Sequence, residues 1–199
     1  MENKKKLIVI ALIFVLVIGG AYALYSQLGP QFAQNQLATP VTQPQNTQES
    51  TDITPEPETV PAPDFTVYDG QGNEVRLSDY FGKPIVLNFW ASWCGPCQRE
   101  MPDFQEKYLE LGDNVQFLMI NMTDGDRETV ESASAFIAKK GYTFPVFFDT
   151  TTEAALTYGA YSLPMTFFIS AEGYPIARAT GAIDSATLQR GIDMIYTPE

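Results

Sequence analysis

A nearly continuous apolar run, Pro84 to Ala91 (PIVLNFWA), leads through Ser92 and Trp93 into Cys94-Gly95-Pro96-Cys97. The run is dense in β-branched and aromatic side chains, which predicts a strand covered on both faces. The next stretch, CGPCQREMPDFQEKYLELG, reads as a helix that stops at Gly112. A strand buried on both sides and feeding a helix implies a layered α/β architecture. It also puts Cys94 just outside the carboxyl end of a strand, where reactive groups of such sheets gather.

Cys94 and Cys97 are the only cysteines in the chain. A helix N-terminus offers unpaired N–H groups and a partial positive charge. A thiolate at Cys94 is stabilised there, so its pKa is expected below the free value of about 8.5. Cys97 follows on the same side, one turn deeper, placed to attack a mixed disulfide formed on Cys94. Gly95 allows close approach to the bond. Pro96 fits the first helical turn, where its missing N–H costs nothing. As a mere staple the pair would do little: so short a loop is worth roughly 2 kcal/mol, against about 3 kcal/mol for a 15-residue loop. The spacing therefore points to redox chemistry.

The same alternation continues along the chain. FTVYD and GQGNEVRL predict two short strands around a Gly-rich turn. VQFLMINM is a further buried strand. DRETVESASAFIAKKG reads as a helix from Asp126, ended by Lys139, Lys140 and Gly141. PVFFD predicts a strand and TEAALTYG a short helix. PMTFFIS and YPIARAT predict two strands joined at AEGY, and SATLQRGIDMIY a closing helix. Residues 64–199 are expected to form a three-layer α/β sandwich with a mixed central sheet.

The N-terminus has another texture. Lys4 to Lys6 precede an uncharged run, Leu7 to Leu24. At about 1.5 Å per residue this covers roughly 27 Å, enough for a hydrocarbon core. The lysines place its start in the cytoplasm. Residues 1–25 are thus expected to be a basic stub and a single-pass transmembrane helix, with the remainder on the extracytoplasmic side. A cleaved signal peptide is the alternative, because Gly19, Gly20 and then AYA follow the most apolar part; the protein would then be secreted. Residues 26–63, rich in Gln, Thr and Pro, are expected to be a disordered linker reaching roughly 30–40 Å.

The formal charge is −12, from 24 acids and 12 bases, and no base stands between Lys6 and Arg76. Phosphate binding needs clustered Lys and Arg, so nucleic acid is not expected as a partner. The chain has no histidine, which removes imidazole catalysis and histidine metal ligands. No cofactor and no metal are expected.

WCGPC after VLNFWAS resembles the thioredoxin superfamily. The stretches from PDFTVYD to CQREMP and from FPVFFD to ATGAI narrow the likeness. They are similar to the membrane-anchored TlpA/ResA group of extracytoplasmic thiol–disulfide oxidoreductases. The resemblance implies a thioredoxin-like fold and a Cys94/Cys97 dithiol–disulfide cycle. It further implies reduction of disulfides in exported proteins, apocytochromes c among them, and a membrane electron donor. A monomer is expected.

Single residues carry over as well. Pro164, in SLPM, matches the superfamily's cis-proline, and Leu163 would present its backbone to a bound peptide. Trp93 would belong to an exposed apolar rim, with ordinary packing as its other reading. Pro102 matches a proline that interrupts the helix. Thioredoxins keep a buried Asp where Asn88 stands. The TlpA/ResA group instead has a glutamate after its cysteines, as Glu100 stands here, placed to accept the proton of Cys97. A solvated helix acid is the other reading of Glu100.

Two departures stand out: Met165 follows the proline, and Gly-Pro separates the cysteines where some relatives carry an acidic residue. Three alternatives stay open: an oxidase or isomerase of the same fold, a copper-delivering thiol module, and a non-catalytic interaction module. A thiol peroxidase would need Thr where Ala91 stands.

Overall fold

The computed structural model describes residues 37–38 and 60–198. The expected anchor over Leu7 to Leu24 and most of the expected linker lie outside the described residues. Among the described residues no helix is long and apolar enough to cross a membrane.

In chain order the strands are β1 (Leu37–Ala38), β2 (Thr66–Tyr68), β3 (Glu74–Arg76), β4 (Ile85–Trp90), β5 (Gln116–Asn121), β6 (Val146–Phe148), β7 (Met165–Ile169) and β8 (Pro175–Thr180). The helices are α1 (Gly95–Leu111), α2 (Val130–Lys140), α3 (Glu153–Tyr158) and α4 (Ser185–Asp193), with a 3-10 turn at Leu77–Tyr80. The strands make one mixed sheet in the order β1-β8-β7-β4-β5-β6-β2-β3. β4 is buried along its whole length, parallel to β5 and antiparallel to β7. This is the three-layer sandwich expected for the domain.

Strand alternation divides the core in two. Val86 and Trp90 of β4 face α1, α2 and α4, in a cluster with Met101, Phe104, Ala133, Leu188 and Ile192. Ile85, Leu87 and Phe89 face the other way, toward α3 and the chain that precedes β4, in a cluster with Phe65, Leu77, Ala154 and Tyr158.

Pro102 lies inside α1, where it has no N–H to give the carbonyl one turn back. α2 ends as its sequence promised: Gly141 takes φ 70°, the left-handed cap, after Lys139 and Lys140. Its start differs from the expected Asp126. Thr129 is the N-cap, its hydroxyl accepting from the N–H of Ser132 at 3.1 Å, so residues 126–128 stay in a loop. Two pieces of the stretch expected as linker touch the sheet. Leu37 and Ala38 pair with Ala179 and Arg178. Ala62 is buried and gives its N–H to the carbonyl of Gly173 at 2.8 Å.

Candidate redox site

β4 ends at Trp90 and the chain turns at once, the N–H of Cys94 reaching back to the carbonyl of Ala91 at 3.1 Å. The turn delivers Cys94 to the N-cap of α1, with extended backbone and its Sγ accepting from the N–H of Cys97 at 3.2 Å. Cys94 and Cys97 form a disulfide, with Cα atoms 5.3 Å apart. Pro96 occupies the first turn of α1. Gly95 leaves the outer side open, the nearest neighbour of a hypothetical Cβ there being the guanidinium of Arg99 at 3.8 Å. Cys97 is sealed at 0 % exposure and Cys94 keeps 4 %, so the outer sulfur is the one a partner can reach.

Beside Cys94, Trp93 is 42 % exposed. It lines a groove of about 420 Å³ with Met122, Leu156, Ala160, Tyr161 and Leu163. Leu156 and Tyr161 are also exposed, which makes this an uncovered apolar surface next to a reactive bond. The Leu163–Pro164 peptide bond is cis, and Pro164 is buried at the start of β7. The structure thus brings Trp93 and Leu163 to one groove.

One turn along α1 from Cys97, Glu100 is buried at 2 % exposure. Its Oε1 accepts from the side-chain amide of Asn88 at 2.9 Å, and its Oε2 from the N–H of Ile183 at 3.0 Å. The same Asn88 nitrogen lies 3.0 Å from Thr166 Oγ1, which ties the carboxyl to β7. Burial pushes the Glu100 carboxyl up to about 8; the bonds from Ile183 and Asn88 oppose that rise, and the nearby Asp103 adds to it. Glu100 is therefore no solvated helix acid. Asn88 stands where thioredoxins keep a buried Asp, and it serves as a neutral donor to the glutamate.

Sequence reasoning passed over a second buried carboxylate. Glu128 is 0 % exposed. Its oxygens accept from the N–H of Ser92 at 2.7 Å, from the hydroxyl of Ser92 at 2.6 Å and from the side-chain amide of Asn121 at 2.7 Å. Arg127, its neighbour, holds its guanidinium carbon 3.5 Å from the centre of the Trp93 ring. In the sequence both residues look like the first turn of α2, and only the helix start at Thr129 frees them to reach the cysteine loop.

A sheet covered by helices on both faces, with a Cys-Gly-Pro-Cys disulfide at the N-terminus of the helix after a central strand, defines a thioredoxin-type thiol–disulfide oxidoreductase. The comparisons agree. Residues 59–174 match the AhpC/TSA family. The thiol-disulfide oxidoreductase ResA of Geobacillus kaustophilus is 37% identical over 135 residues, spanning 67% of this chain and 75% of the relative. Among solved structures, StoA from Bacillus subtilis aligns with a TM-score of 0.57 at 26% identity, over 67% of this chain and 98% of that one. The exposed lipoprotein thioredoxin of Streptococcus pneumoniae aligns with a TM-score of 0.56 at 33% identity, over 66% and 98%. The chain belongs to the AhpC/TSA family and, within it, to the ResA-like thiol–disulfide oxidoreductases.

Proposed function

We propose that the protein is a membrane-tethered, monomeric reductase of disulfides in exported proteins, with apocytochromes c among its substrates and a membrane dithiol as its electron donor. In the reduced form the Cys94 thiolate attacks a substrate disulfide. A Cys94–substrate bond forms and one substrate sulfur leaves as a thiolate. Cys97 then loses its proton to Glu100 and attacks Sγ of Cys94, closing the Cys94–Cys97 disulfide and releasing the second substrate sulfur. Two electrons pass from the protein to the substrate, whose thiolates take up two protons. Two further electrons from the donor dithiol restore the starting state.

The observation that carries this reading is the buried Glu100 one turn below Cys97. Its carboxyl is pushed up to about 8, which makes its ionised form a stronger base than a solvated glutamate. That suits it to take the proton of the thiol one turn away. Trp93 and Leu163 supply the surface on which an extended peptide is held beside Cys94, and Pro164, buried next to Leu163, supports that residue. Gly95, Pro96 and Pro102 shape the helix that presents it, and Asn88 orients Glu100.

The deciding measurement is the reduction potential of the Cys94–Cys97 couple, equilibrated against glutathione or dithiothreitol. A value near or below about −250 mV supports a reductase that needs an external electron supply. A value above about −180 mV sinks it and assigns the protein to the oxidases or isomerases.

A further inference from the structure

We propose that Arg127 and Glu128 form a clamp that positions the attacking cysteine, two consecutive residues gripping the two consecutive residues before Cys94. Every polar group of Ser92 is engaged. Its N–H and hydroxyl both donate to Glu128 at 2.7 and 2.6 Å, and its carbonyl accepts from the Gln98 amide at 2.6 Å. The next residue, Trp93, lies under the Arg127 guanidinium. Ser92 and Trp93 are the turn that carries the chain from β4 into the N-cap of α1, so holding them sets where Cys94 Sγ sits.

The clamp is itself rigidly built. Asp124 Oδ1 accepts from the N–H groups of Asp126 and Glu128 at 2.9 and 2.8 Å. Gly125, at φ 78°, gives its N–H to the carbonyl of Glu128 at 2.9 Å. That closed loop turns Glu128 inward and leaves Arg127 exposed. The Asn121 amide at the end of β5 completes the anchor on Glu128 at 2.7 Å, and its own oxygen accepts from Thr123 Oγ1 at 2.8 Å. A fully buried carboxylate bonded to the loop before the nucleophile is dear to maintain for packing alone, since burying a charged group is costly even when it is hydrogen-bonded. Glu128 is thus a positioning residue, acting through Ser92.

This rests on Cys94 being the attacking thiol. The test is the pH dependence of iodoacetamide alkylation in the reduced protein, with the modified cysteine located by mass spectrometry. Glu128→Ala frees the turn and takes Cys94 out of its N-cap seat. Its alkylation near pH 7 should slow about tenfold, with the pH midpoint moving up. Glu128→Gln keeps an acceptor for Ser92 and Asn121 and should stay close to the parent. A purely electrostatic role has the opposite sign: removing a negative charge lowers the midpoint in both variants, and that result overturns the clamp. Unchanged Cys94 kinetics with only a lower melting temperature also overturns it. Should the alanine variant not fold, Ser92→Ala, which removes one of the three bonds, must slow Cys94 by about threefold; an unmoved rate there overturns the clamp. Alkylation at Cys97 in the parent protein instead would fell the assignment of Cys94 and the clamp with it.

Discussion

β4, β5 and β7 show two different faces to the molecule. Toward α3 they present Ile85, Leu87, Phe89, Leu118, Ile120, Phe167 and Ile169, all apolar. Ring contacts such as Tyr158–Phe167 at 4.9 Å and Phe65–Tyr158 at 5.4 Å reinforce that side. Toward α1 the same strands set Asn88, Asn121 and Thr166, each at 0 % exposure, among Val86, Trp90, Met119 and Phe168. The difference teaches how a small domain can hold chemistry in its interior. Buried polar groups are tolerable only when hydrogen-bonded, and here each carboxylate is met by donors from several elements. The apolar face supplies the cohesion that keeps those donors in register.

The largest expected effect breaks the polar side. Burial raises the Glu100 carboxyl from 4.5 to about 8. Above pH 4.5 the unfolded chain has given up this proton while the folded chain still holds it. The contribution of Glu100 to stability is therefore fully present below pH 4.5 and is lost as pH rises through about 8. The loss over that window is on the order of 5 kcal/mol. Urea denaturation of the oxidised protein at pH 5 and pH 8.5 should show it. Glu100→Gln should flatten the slope. It should cost stability at pH 5, where one of its two donors loses its acceptor, and should match or exceed the parent at pH 8.5, where the parent has lost its proton-linked contribution. An equal slope in parent and variant would mean that the titrating group is not Glu100.

Next in size is the apolar side. Phe89→Ala removes a ring that packs on Tyr158 at 5.8 Å and Phe167 at 6.2 Å. The loss should be about 3–5 kcal/mol, read by the same denaturation. The pH dependence assigned to Glu100 should be unchanged, because Phe89 points away from it. A Phe89→Ala protein whose stability varies with pH differently from the parent would show that the two faces are not separable.

How much of this was legible follows the same division. The apolar run of β4, the Gly141 cap and the order of elements announced themselves, because periodicity and caps are local. Cys94 and Cys97 were legible from spacing. Glu100 could be picked out only by resemblance, since a helix acid three residues after Cys97 looks the same whether buried or solvated. Its burial depends on α4, whose preceding residue Ile183 arrives from far along the chain to donate to it. Glu128 was invisible for a similar reason. Its partners Ser92 and Asn121 sit on two different strand ends, and the sequence around it read as helix. The pairing of Leu37 and Ala38 with β8 was hidden too, because a strand added at an edge needs no alternating pattern of its own.

A smaller change tests whether the polar face tolerates strain without a change in its chemistry. Gly191 lies inside α4, where glycine is about 1 kcal/mol less favourable than alanine. By propensity alone Gly191→Ala should stabilise the protein. The added methyl, however, would fall within the ring of Phe168, which is itself fully buried. Overpacking of this kind costs about 1–3 kcal/mol, so a net loss is expected. α4 has to move outward to make room, and its N-terminal approach carries Ile183, the backbone donor to Glu100 Oε2. Lengthening that bond weakens one of the two influences that hold the Glu100 carboxyl down. Its titration should therefore move to higher pH, and the fall in stability between pH 5 and pH 8.5 should steepen. Phe89→Ala costs more stability and leaves that slope alone; Gly191→Ala costs less and changes it. A Gly191→Ala protein that is destabilised with the parent's slope would mean that α4 absorbs the methyl without shifting Ile183, and the coupling between helix packing and the acid would be refuted.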